Sequence, residues 1–113
     1  MKRLTSFLCC VVLTLSFSLI ALAGTGPETI NLKDVFEVEG KKKAAILPHH
    51  RHQEKVACAS CHLNPGGGGS VKFDIVNKSG VANDFHKKWC WPCHEQMQVP
   101  KGKSCSTCHN GPV

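Results

Sequence analysis

Cys58-Ala59-Ser60-Cys61-His62, Cys90-Trp91-Pro92-Cys93-His94 and Cys105-Ser106-Thr107-Cys108-His109 are three copies of one pattern, Cys-x-x-Cys-His. They use every cysteine beyond the first ten residues. Two cysteines three positions apart sit about one helical turn from each other, so both thiols can add across the two vinyl groups on one edge of a porphyrin. The adjacent histidine then faces the iron. Three repeats with no cysteine left over read as three sites of covalent c-type haem.

Two plainer readings compete. Structural zinc usually draws two ligand pairs from separated positions, whereas each triplet here offers three ligands in immediate succession. A disulfide framework would suit six cysteines in a small exported chain but leaves the histidine after every second cysteine unexplained.

Towards its start the chain reads Met1-Lys2-Arg3, carries no charge from Leu4 to Ala23, and closes that run with Ala21-Leu22-Ala23 before Gly24. A charged start, an apolar stretch and an A-x-A site read as a signal peptide over 1–23, leaving one domain over 24–113. Cys9 and Cys10 lie in the apolar stretch and leave with it. The run is just long enough to span a bilayer, so a retained anchor is the rival reading; Thr5, Ser6, Thr14, Ser16 and Ser18 and the cleavage site favour removal. Export suits the chemistry, because haem is attached outside the bacterial cytoplasm, and the expected compartment is the periplasm.

The whole chain carries a net charge of +6. Loss of Lys2 and Arg3 leaves +4, and the six propionates of three haems offset most of that. The sequence pI is therefore a poor argument for a nucleic-acid partner; lysines around haem edges suit acidic redox proteins instead. Lys41-Lys42-Lys43 reads as a solvated turn. Tyrosine is absent, and beyond the signal the only Phe and Trp residues are Phe36, Phe73, Phe85, Trp89 and Trp91. A chain this short and this poor in aromatics is expected to wrap its haems as its core.

Elements are short by expectation. Ile30, Leu32, Val35, Phe36 and Val38, then Gly40 and the lysine run, then Ala44 to Leu47, suggest a two-stranded ribbon. Gly66 to Ser70 reads as flexible loop, and Val71 to Ile75 as a short strand. Asn83 or Asp84 caps a short helix carrying Phe85 and His86. Short helices or helical turns are expected over 90–98 and 105–109.

Counting ligands separates carrier from catalyst. The chain has seven histidines. His62, His94 and His109 are proximal, and His49, His50, His52 and His86 remain for three distal positions, one more than needed. The reading favours His49, His52 and His86, with His50 as the competitor of His49. Met97, three residues past His94, is too near along its own element to reach the opposite face of that haem, so it reads as packing or surface. Trp89 and Trp91 read as apolar shielding. Irons closed by two imidazoles exchange electrons at low potential and bind no substrate.

Pro48-His49-His50-Arg51-His52-Gln53 before the first haem motif, His86 four residues before Cys90, and the last motif eleven residues after His94 resemble the small trihaem periplasmic cytochromes of class III, the cytochrome c7 branch of the cytochrome c3 family. The resemblance covers 29–109. It implies a two-stranded ribbon, a few short helices and three close haems around a small core. It implies His49 as distal ligand for the haem on Cys58 and Cys61, His52 for the one on Cys90 and Cys93, and His86 for the one on Cys105 and Cys108. It also implies electron shuttling towards terminal reductases in anaerobic respiration. No cysteine lies between His62 and Cys90, where tetrahaem relatives carry a further motif, and the glycine run there makes that segment longer than in compact members. The competing functions are a small haem reductase of metal ions or oxyanions, which needs an open iron, and a haem subunit or sensor within a larger redox complex. A monomeric carrier, not an enzyme, is the expectation.

Overall fold

Asn31 both ends the first strand and starts the first helix. Its side-chain oxygen accepts from the Lys33 amide at 3.0 Å, an N-cap that diverts the chain after two extended residues. The computed structural model describes residues 25–113, so the expected signal segment lies outside the described residues. Strand β1 (Ile30–Asn31) pairs antiparallel with β2 (Ile46–Leu47), Ile30 opposite Leu47 and Asn31 opposite Ile46. The ribbon is present but much shorter than the hydrophobic pattern suggested: Leu32–Val35 is helix α1, because the Asn31 cap competes successfully with the ladder. The chain's C-terminal end lies beside β2: Ala45 bridges His109, the Ala44 amide donates to Pro112 O at 2.8 Å, and that of Gly111 to Ala44 O at 3.1 Å.

Helix α2 (His49–Gln53) carries the histidine cluster directly after Pro48. A 3₁₀ turn covers Cys58–Ser60. The glycine run is a folded return rather than a slack linker. Asn64 Oδ1 accepts from the Gly66 amide at 2.9 Å, Gly67 and Gly68 take φ of 86° and 93°, and the Leu63 amide reaches Ser70 O at 3.1 Å. Glycine meets that left-handed geometry without a Cβ clash. The strand expected over 71–75 does not form; Val71 makes a single bridge to His62, and beyond it Phe73 turns to stack on Trp89.

Asn83 supplies the expected cap, its Oδ1 accepting from the His86 amide at 3.0 Å. The chain then forms a π-helical turn, Phe85–Cys90, running directly into α3 (Trp91–Gln96). Helix α4 (Cys105–Cys108) holds the last cysteine pair.

Among the described residues only Leu32, Ala44, Phe85 and Trp89 are buried apolar side chains. Phe36 meets Phe85 edge-on at 5.0 Å, and Phe73 stacks on Trp89 at 5.2 Å, so one aromatic cluster joins α1, the 71–83 segment and the π turn. Val35, Leu63, Val76, Val81, Met97, Val99 and Val113 stay exposed.

Candidate functional site

The histidines meet in three pairs drawn from different parts of the chain. His49 of α2 faces His62 with ring centres 6.3 Å apart and planes at 81°. His52, one turn along α2, faces His94 of α3 at 6.1 Å and 29°. His86 of the π turn faces His109, just after α4, at 6.2 Å and 82°. His49 and His52 share one short helix, so side chains one turn apart on that helix serve two different partners.

Each of these six rings donates from Nδ1 to a backbone carbonyl. The acceptors are Pro27 O for His49 at 3.0 Å, Pro48 O for His52 at 2.9 Å, Gly68 O for His62 at 3.0 Å, Val81 O for His86 at 2.7 Å, Gly102 O for His94 at 2.7 Å and Lys43 O for His109 at 2.8 Å. A carbonyl only accepts, so the proton sits on Nδ1 and the Nε2 lone pair of a neutral ring is left to bind a metal. His50 is the exception: its Nε2 is the nitrogen bonded to a carbonyl, Gly26 O at 3.0 Å. Its metal-binding nitrogen is thereby spent on the backbone.

The cysteines of the three motifs are all free, none paired with another. Burial pushes the Cys90 thiol up to about 12, and the charges of Cys108, Cys61 and Cys93 act in the same direction. Burial also raises Cys108, with Cys105 adding to it. A thiol held protonated in this way is a poor nucleophile and resists adventitious oxidation. Among the described residues no three His, Cys, Asp or Glu side chains converge as a zinc site requires.

A cytochrome c7 from Geobacter metallireducens is 31% identical over 77 residues, covering 67% of this chain and 74% of its own length. The chain belongs to the cytochrome c7 family. No protein-family model and no solved structure matches it. The residues present fit haem c: metal–imidazole bonds of about 2 Å, plus half a ring on either side, give about 6 Å between ring centres, close to what all three pairs show. The six free Nε2 lone pairs and the free cysteine pairs are the donor set that covalent bis-histidine haem uses.

The carbonyls that orient the imidazoles have no signature in the sequence, because any residue type carries one. Gly102 is a partial exception. A Cβ there would lie 2.8 Å from the His94 Cβ and 3.0 Å from Val99 O, so glycine lets the chain pass close enough for its carbonyl to reach His94. Met97 is exposed, its sulfur 3.8 Å from Cys93 Sγ. Trp89 is buried in the aromatic cluster, whereas Trp91 stacks on His86. Lys41, Lys42 and Lys43 are exposed.

Proposed function

We propose that this chain is a multihaem electron-transfer protein with three haems c, exported to the periplasm after cleavage following Ala23 and carrying electrons towards terminal reductases in anaerobic respiration. Cys58 and Cys61, Cys90 and Cys93, and Cys105 and Cys108 would hold the haems by thioether bonds. His62 with His49, His94 with His52, and His109 with His86 would bind the irons. The three facing imidazole pairs with their Nδ1 protons tied to carbonyls carry this reading. Bound haem supplies a one-electron ferric/ferrous couple. With haem bound, these histidines would close both faces of each iron, which favours a carrier over a substrate-binding enzyme, and a bis-imidazole set would favour low potential.

Several features accord with this reading. The four buried apolar side chains among the described residues are too few for the core of a free-standing domain of this size. Among the described residues no helix is long and apolar enough to cross a membrane. The excess of lysine over acid suits acidic donor and acceptor proteins.

The test is the protein matured in a host with c-type haem assembly. Mass spectrometry is expected to show residues 24–113 with three covalent haems, and optical spectra to show low-spin iron in both redox states with slow carbon monoxide binding. Fewer haems overturn the count of three, whereas fast stoichiometric carbon monoxide binding at neutral pH overturns the carrier reading and points to an open iron.

A further inference from the structure

Trp91 lies inside the second attachment segment, Cys90 to His94, yet its indole covers a histidine that pairs with the third. Its ring centre is 4.5 Å from that of His86 and the planes differ by 7°, the closest and most parallel aromatic pair among the described residues. On a regular α-helix, residues five apart point about 140° away from each other and cannot stack. The π-helical turn removes that obstacle: the Trp91 amide donates to His86 O, a bond across five residues that brings the two side chains to one face. Lys103 Nζ lies 6.0 Å from the Trp91 ring centre and is itself paired with Glu95 Oε2 at 2.8 Å, so the outer side chain of the stack is also anchored.

His86 is thus restrained twice, by Val81 O at Nδ1 and by an indole along its face. One hydrogen bond fixes a point on the ring but leaves rotation about that bond; a coplanar indole removes it. We infer that Trp91 is a positioning residue that holds the His86 imidazole crosswise to that of His109. The inference rests on His86 and His109 being axial ligands of one iron, as proposed above. The plane angle matters electronically. Imidazoles at right angles donate equally into both iron dπ orbitals and keep them nearly degenerate, whereas near-parallel rings split them. Two of the three pairs are near-perpendicular, at 81° and 82°, and one is near-parallel, at 29°.

Electron paramagnetic resonance of the oxidised holoprotein tests this directly. The wild-type protein is expected to show two strongly anisotropic low-spin signals and one rhombic signal, each integrating to one iron. In Trp91→Leu one anisotropic signal is lost to a less anisotropic one, with a shift in the potential of that haem alone, and Trp91→Phe restores both. Three unchanged signals and potentials in Trp91→Leu overturn the inference. Proton spectra of the reduced, diamagnetic wild-type protein need no variant: the indole ring current should shift the His86 ring protons upfield of those of the other axial histidines, and equal shifts overturn the inference even where Trp91→Leu does not fold. Absence of low-spin bis-imidazole signals in the wild-type protein overturns the ligand assignment itself, a failure visible before any substitution is made.

Discussion

His49 and His50 are adjacent, both imidazoles, and both hydrogen-bonded to carbonyls of the segment ahead of β1, yet they use opposite nitrogens. That single difference assigns them different chemistry, since Nε2 is the nitrogen the paired histidines keep free. The expected outcome is sharp. On the proposed three-haem reading, His49→Ala is expected to convert one haem to a high-spin form with a raised potential, because the lost imidazole would have favoured ferric iron. His50→Ala leaves all three low-spin and costs only the net value of one exposed hydrogen bond, about 1 kcal/mol in thermal or denaturant unfolding. A high-spin signal in the His50 variant, with His49→Ala silent, would exchange the two roles.

At the scale of elements, the segment from Val71 to Asn83 is tied to the π turn by the stack of Phe73 on Trp89, by Lys88 Nζ on Asp74 O at 3.0 Å, and by one carboxylate just ahead of the turn. Asp84 is buried, and its Oδ2 accepts from the amides of Asn77 at 2.8 Å and Val76 at 2.9 Å and from Lys88 Nζ at 3.1 Å. The Asn77 amide above all, then Lys88 and the Val76 amide, hold its pKa below the ordinary 3.8. A carboxyl with a depressed folded pKa contributes stability that is complete above its ordinary value and is lost as pH falls through the folded one. Asp84→Asn is therefore expected to melt at a lower temperature than the wild type at pH 7, with the gap closing on acidification below 3.8. Melting curves that stay parallel down to the acid limit would show that the Asp84 charge does not contribute to holding the segment.

For the whole molecule, the polypeptide packs only one aromatic cluster, Phe36, Phe73, Phe85 and Trp89, and leaves seven large apolar side chains exposed among the described residues. Burying a few side chains does not offset the conformational entropy of a chain this long. Replacing the six cysteines of the three motifs by serine is thus expected to give a chain with no cooperative thermal transition and poor dispersion in proton spectra. A cooperative transition in that variant would show that the aromatic cluster suffices as a core.

The boundary between what is legible in the sequence and what is not lies at the reach of each interaction. Cys-x-x-Cys-His is legible because both thiols and the imidazole lie within one turn of chain, and the Asn83 cap is legible because a cap acts over three residues. The ribbon is legible in the apolar spacing but its length is not, because that spacing does not register the Asn31 cap, and no strand forms over 71–75, where Phe73 stacks on Trp89. Which nitrogen of each histidine is free depends on carbonyls up to 66 residues away, as with Lys43 and His109, and only the folded chain brings these together. The stack of Trp91 on His86 belongs to the tertiary level as well, since it needs a π turn whose i to i+5 bond no local residue preference announces.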